Sequence, residues 1–438
     1  MIDTLPSLRT AIEKRSATVG VIGLGYVGLP AACVIAEAGF KVTGIDIDPK
    51  RVEMINSGQS PIEGDEPSLA SLLTRVIDSK HLHASTSHKE LAKADIVLIC
   101  VDTPVEADHK PRFAALKSAC QSLGAVLKKG ALVIVESTIA PGTIDTIVRP
   151  ALESATGGVA GERFHLGHCP ERVMPGKLLR NMRTMNRVCG GSSPEVAEAM
   201  VALYSTYVEG ELDPTDCLTA ELVKTAENAC RDVSIAFANQ LAVICEVVGG
   251  DVWRVRELVN KVPGRYVLLP GGGVGGHCIP KDSWLLATPL GAAAEESLLG
   301  VARHVNDGMP AHVADLVGEL AEPKSKVAVL GYAYLENSDD TRNSPSAALK
   351  AVLEQRGYSV SVHDPFVHQY AGDVMKALRG ADCAVVMVAH SAYRELDLGL
   401  AAEEMARAQM VDARALFKGD ELKAAGFTWR TIGVGTPS

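Results

Sequence analysis

The chain has 438 residues, enough for two or three domains that each bury a core of their own. Its hydrophobic content of 47% with 22% charged residues is ordinary for a globular enzyme, and a net charge of -10 argues against a nucleic-acid binder. No apolar run approaches the ~20 residues of a membrane span, and the first residues lack the apolar core of a signal peptide. The 10 cysteines are irregularly spaced and form no CxxC pair, which suggests neither a disulfide framework nor a zinc site. A reducing cytoplasm is the expected compartment, with no metal, no nucleic acid and no membrane as partner.

Residues 17–49 read strand, tight turn, helix, strand. The strand TVGVIGLG runs into Gly23-Leu-Gly25-Tyr26-Val27-Gly28, an amphipathic helix follows, and KVTGIDID ends on Asp46. The glycines allow a tight turn and close approach of a pyrophosphate to the helix N-terminus, whose N–H groups attract anions. Asp46 stands where a carboxylate accepts hydrogen bonds from an adenosine ribose, and Arg51 lies just beyond it. A 2′-phosphate would meet like charge at Asp46 with no counter-charge close by, so NAD is expected over NADP.

Two further buried strands follow. Residues 94–100 end in Val-Asp-Thr103-Pro104, and residues 131–135 end in Glu-Ser-Thr138. Polar residues just past strand C-termini in a parallel sheet lie at the ligand crevice, although turn chemistry and helix capping would also use threonines there. After the short strand FHLGH comes Cys169-Pro-Glu171-Arg172-Val173, a charged pair held between prolines.

From Cys217 to Val248 the periodicity is helical without a proline, which predicts a helix of ~48 Å. Lys224 and Asn228 are spaced i and i+4 on it, with Arg231 continuing the stripe; an exposed polar stripe would read the same way. Five of the seven residues 270–276 are glycine, and Cys278 and Asp282 follow directly. Glycine is costly in helix or strand, so this is a loop that displays a thiol, suited to covalent catalysis or to a plain turn with a buried cysteine. At Lys326 a second α/β unit opens: VGVIGLG is echoed by VAVLGYA, VTGIDIDP by VSVHDPF, ADIVLIC by ADCAVVMV. The second copy lacks the glycine motif and carries Tyr334-Leu-Glu-Asn-Ser-Asp-Asp-Thr-Arg342 instead, which suggests a different, nucleotide-like ligand.

Assembled, the chain resembles the UDP-glucose/GDP-mannose dehydrogenase family over nearly its whole length. The resemblance rests on GLGYVGLP, the Ser60 to Pro67 segment, ESTIAPGT, CPERVMPG, ELVKTAENACRDVSIAFANQ, GGHCIPKD and DDTRNSP, in family order. CPERV, the KxxEN/RDV helix and GGHCIP are most similar to the branch that oxidises UDP-N-acetylhexosamines.

The resemblance implies two Rossmann-like parallel-sheet domains, at 1–212 for NAD and 322–438 for the UDP-sugar. They would be joined by a central helical domain, 213–321, that builds a homodimer. It also implies a four-electron oxidation of a sugar C6 alcohol to a carboxylate by two NAD, through a thiohemiacetal and a thioester on Cys278. UDP-N-acetyl-D-mannosamine is the expected sugar, with UDP-N-acetyl-D-glucosamine second and UDP-glucose third. Lys224, Asn228 and Asp282 would serve the oxyanions and the proton network, and Glu171 with Thr138 the hydrolytic water. Arg172, Val173, Arg231, Arg265, Gly272 and Tyr334 fall where the family holds nucleotide-sugar, and Thr103, Thr138 and Arg342 where it contacts cofactor. Lys281, Ser234 and Leu335 depart from the branch pattern. A two-electron hydroxyacid reductase would need no cysteine, and an inactive NAD-binding scaffold would have no use for Lys224, Asn228, Asp282 and Cys278 together.

Overall fold

The computed structural model describes residues 4–62, 66–174 and 176–435. Parts of the Ser60 to Pro67 segment and Pro175 of CPERVMPG therefore lie outside the described residues. The chain forms two compact units, Met1–Ala226 and Glu227–Ser438, divided inside the helix Cys217–Val248. The segment 213–321 expected from sequence as a central domain is shared between them.

In the first unit, eight strands form one sheet: β1 (Thr18–Ile22), β2 (Lys41–Ile45), β3 (Leu82–Ser85), β4 (Ile96–Ile99), β5 (Leu132–Val135), β6 (His165–His168), β7 (Arg187–Gly191) and β8 (Leu212–Asp216). Their order is β3-β2-β1-β4-β5-β6-β7-β8. Every pair is parallel except β6 with β7. β4 (IVLI) and β5 (LVIV) are buried at every position. Such unbroken apolar runs mark strands covered on both faces, and two separate apolar clusters flank this sheet. The direction of the chain reverses between β1 and β4, the switch point where a doubly wound sheet opens a crevice at its C-terminal edge.

The second unit repeats the plan with five strands: β9 (Lys326–Leu330), β10 (Ser359–His363), β11 (Cys383–Val386), β12 (Gln409–Asp412) and β13 (Thr428–Thr431). They lie in the order β10-β9-β11-β12-β13, all parallel. The repeat reaches individual atoms. Asp46 Oδ2 accepts from Leu24 N at 2.9 Å in the first sheet, and Asp364 Oδ2 accepts from Tyr332 N and Ala333 N at 2.6 and 2.9 Å in the second. In both copies a carboxylate ending the second strand ties down the turn after the first.

The helix predicted over Cys217–Val248 is present with those bounds. Its buried polar face differs from the expected stripe. Lys224, Asp232 and Asn239 are buried, whereas Arg231 is exposed. Among the described residues no helix is long and apolar enough to cross a membrane.

Candidate active site

The turn after β1 is made possible by missing side chains. Gly23 has φ +89°, and a Cβ on Gly28 would sit 1.8 Å from Gly23 O, so the turn closes only as glycine. The helix Gly28–Glu37 begins there without a side-chain cap, which leaves its N-terminal turn suited to an anion. A Cβ on Gly25 would meet nothing nearer than Arg51 Nη1 at 4.0 Å, so one face of the turn is an open cradle. Tyr26 closes one side by donating to Glu66 Oε1 at 2.5 Å, and Val27 packs partly buried against the core. Asp46 is held by Leu24 N and by Asp48 N at 3.0 Å. Arg51 Nη1 stands 3.2 Å from Asp46 Oδ2. The expectation of no nearby counter-charge is therefore corrected: a guanidinium is present, engaged with the carboxylate. These residues fit NAD: the bare glycine turn would take the diphosphate and Asp46 the ribose.

At the strand ends beside this turn, Thr103 and Thr138 are buried together, Thr103 Oγ1 donating to Thr138 O at 2.5 Å. The charged pair of CPERV parts company. Glu171 is buried, accepts from Val173 N at 2.6 Å and lies 3.8 Å from Lys224 Nζ, while Arg172 reaches Asn186 O at 2.6 Å.

His168, the last residue of β6, was not among the expected site residues. It is fully buried, its Nδ1 lies 2.8 Å from Val135 O, and its Nε2 has no hydrogen-bond partner. Burial, with the Lys224 charge adding to it, lowers its pKa to about 4. The ring is thus neutral near pH 7, donates through Nδ1 and offers Nε2 as an acceptor. Glu221 was also missed; buried on the long helix, it accepts from Gly142 N and Ile144 N at 2.7 Å each and so holds the loop that carries Thr138.

In the second unit, Cys278 is exposed and opens the helix Cys278–Ala287. Asn228 Nδ2 donates to Asp282 Oδ2 at 2.6 Å, and Asp282 Oδ1 is buried without a hydrogen-bond partner. Lys281 Nζ is 3.6 Å from that oxygen. Gly276, with φ +87° and a Cβ position only 2.9 Å from the Tyr334 ring, donates to Arg342 O at 2.8 Å. Arg342 itself is clasped by Asp340, its Nη2 2.6 Å from Oδ2. Burial first, then the Asp340 carboxylate, push the Tyr334 phenol up to about 12.

A cavity of about 170 Å³ opens at the switch point between β9 and β11. Gly272, Tyr334, Leu335, Met387 and Arg414 line it. Gly272 and Tyr334 were expected there; Arg414 was not. It stands two residues past the end of β12, so the rule that pointed to Thr103 and Thr138 applies to it equally. Arg265 falls outside the cluster, exposed in a turn with its guanidinium 3.5 Å from Gly264 O. Among the described residues no group of three His, Cys, Asp or Glu side chains is placed to hold a metal ion.

Three family models match the chain: the NAD binding domain of the UDP-glucose/GDP-mannose dehydrogenase family over residues 17–208, its central domain over 218–308 and its UDP binding domain over 328–419. The chain belongs to this family. It is an NAD-dependent oxidoreductase of nucleotide sugars, with a UDP-sugar as substrate class. A UDP-N-acetyl-D-mannosamine dehydrogenase from Methanococcus maripaludis is 36% identical, the match covering 95% of this chain and 96% of that one. The structure of UDP-D-ManNAc dehydrogenase from Pyrococcus horikoshii superposes with TM-score 0.88 at 35% identity, over 95% of this chain and 99% of that one. The crystal structure of NDP-N-acetyl-D-galactosaminuronic acid dehydrogenase from Methanosarcina mazei Go1 does so at 0.88 and 37%, over 99% and 98%.

The Asp46–Arg51 arrangement makes a prediction about cofactor choice. Wild-type kcat/KM should favour NAD over NADP by ~100-fold, and Asp46→Ser, which frees Arg51 for a 2′-phosphate, should cut that ratio by at least ~10-fold. Steady-state kinetics with both cofactors measures it; an unchanged ratio would mean that Asp46 does not meet the ribose.

Proposed function

We propose that the protein oxidises C6 of a UDP-N-acetylhexosamine, UDP-N-acetyl-D-mannosamine first, to the uronic acid in four electrons through Cys278. The observation that carries this reading is the exposed thiol at the first residue of a helix, with the Asn228–Asp282 pair in the same unit. Helix N–H groups favour negative charge at that end, which suits an attacking sulfur.

Bound NAD supplies the hydride acceptor for each of the two oxidations. After the first, Cys278 Sγ bonds to the aldehyde carbon as a thiohemiacetal. After the second, the same carbon is a thioester, and water releases the carboxylate and restores the thiol. Lys224 and Asn228, one turn apart on one helix, offer an ammonium and an amide to the oxyanions. Glu171 orients and deprotonates the hydrolytic water, with Thr138 beside the cofactor and Asp282 holding the amide of Asn228. The cavity at Gly272, Tyr334 and Arg414 takes the UDP part, Arg414 supplying the positive charge. Arg172, Val173 and Arg231 would contact the sugar nucleotide, Arg342 the cofactor.

The relatives named for N-acetylated sugars support the hexosamine class, and two of the three are named for the manno form. A site that hydrogen-bonds the C2 amide leaves those groups unpaired with UDP-glucose. UDP-N-acetylmannosamine should therefore yield two NADH per sugar, with UDP-glucose slower by ~100-fold or more in kcat/KM. Cys278→Ala should bind NAD and form no acid. Faster oxidation of UDP-glucose, or one NADH per sugar, would overturn the assignment.

The protein is further proposed to work as a homodimer. Phe237, Ile244 and Val248 stand at i, i+7 and i+11 of the long helix and are 59%, 48% and 72% exposed. An apolar stripe of that kind marks a protein interface, and a second copy is its proposed occupant. Sedimentation equilibrium at micromolar concentration should give a dimer; a fully active monomer would contradict it.

A further inference from the structure

The glycine loop ahead of Cys278 is gripped by a buried polar network that the chemistry above does not use. Its hub is Asp232 on the helix Cys217–Val248, fully buried and paired with the equally buried Arg303, Nη1 to Oδ1 at 2.7 Å. Asp232 Oδ2 accepts from Ser283 Oγ at 2.8 Å, and Ser283 lies on the helix that Cys278 opens. Asp232 Oδ1 also accepts from Asn306 Nδ2 at 2.7 Å. Asn306 Oδ1 accepts from Asn239 Nδ2 at 2.9 Å, and Asn239 Oδ1 accepts from Gly271 N at 2.9 Å. Gly271 is where the loop departs.

Three attachments of the segment start from the same face of one helix. Asn228, Asp232 and Asn239 are i, i+4 and i+11, and they reach Asp282, Ser283 and Gly271 in turn. The RDV and ANQ stretches of the sequence thus hold both ends of a thirteen-residue segment, 271–283. A buried carboxylate is costly to keep unless its lone pairs are filled, and Asp232 has Arg303, Asn306 and Ser283 on its two oxygens. A glycine-rich segment has large conformational freedom, so fixed anchors at its ends decide where its thiol points.

We propose that Asp232 is the positioning residue of the Cys278 segment, pinning Ser283 directly and Gly271 through Asn306 and Asn239. This rests on the reading of Cys278 as the reacting thiol. Asp232 touches neither substrate nor cofactor, and its effect is on the placement of that sulfur.

The test pairs Asp232→Asn with Ser283→Ala, which removes a single hydroxyl and leaves Asp232 on Arg303. For each soluble variant, kcat and the KM for NAD are measured, with amide hydrogen exchange of peptides across 271–283. In Asp232→Asn, kcat should fall ~10- to 100-fold with the KM for NAD unchanged, because a small displacement of a reacting group has that effect. Exchange across 271–283 should rise while β9–β13 stay protected. Ser283→Ala should shift both readouts in the same direction by less, and it decides alone if Asp232→Asn does not fold. Unchanged kcat with unchanged exchange in Ser283→Ala overturns the proposal. Exchange is read without turnover, so failure of the covalent reading appears separately, as acid formation by Cys278→Ala.

Discussion

A segment with five glycines in seven residues has little conformational preference of its own, so the position of Cys278 is set by whatever grips the segment. The grips are polar: Asn239 on Gly271 N and Asp232 on Ser283 are buried, Asn228 on Asp282 is part-buried, and the backbone Arg342 O takes Gly276 N. Each exchanges a hydrogen bond to water for one inside the protein. The net gain per bond is small, ~1 kcal/mol, but an unmade buried partner would cost more. That asymmetry gives the loop one arrangement. Where the first copy carries its glycine motif the second carries a longer polar stretch, and Arg342 and Asn343 in that stretch dock on Gly276.

The first copy works under the opposite constraint. Its turn is fixed by crowding, since no side chain fits at Gly28 against Gly23 O, and the resulting close packing leaves open space above Gly25. The same strand plan therefore serves a cofactor where the backbone is bare and a nucleotide-sugar where the turn is dressed. In both copies the acidic residue at the end of the second strand has become a structural tie for the turn. In the first it keeps Arg51 alongside; in the second His390 Nε2 lies 3.0 Å from Asp364 Oδ2.

Much of this was legible in the sequence because it rests on local patterns. The glycine spacing, the apolar runs of β4 and β5 and the helix over Cys217–Val248 follow from backbone rules that act within a few residues. The placing of Thr103 and Thr138 at the crevice followed from the position of strand ends in a doubly wound sheet, whereas Gly272 and Tyr334 came from the family resemblance alone. What escaped is what depends on distant partners. Asp232 looks like one more charge on a helix until Arg303, 71 residues away, is seen to neutralise it. Glu136 escaped as well: fully buried, it accepts from Tyr204 at 2.6 Å across 68 residues. His168 and Arg414 were within reach of the strand-end rule and were not drawn from it. Arg231 went the other way, assigned to the helix stripe by spacing while the buried face ran through its neighbour.

The chemistry turns on whether the sugar carbon is ever bonded to Cys278. Glu171→Gln should slow release of the acyl group by removing the base for the attacking water, so the acyl-enzyme accumulates. The measurement is peptide mass mapping of this variant, acid-quenched after mixing with NAD and the most active UDP-sugar. The account predicts a sugar-acyl adduct on the peptide that carries Cys278, formed with two NADH per bound sugar. Two NADH released with Cys278 unmodified at every quench time, or an adduct on another cysteine, would contradict it.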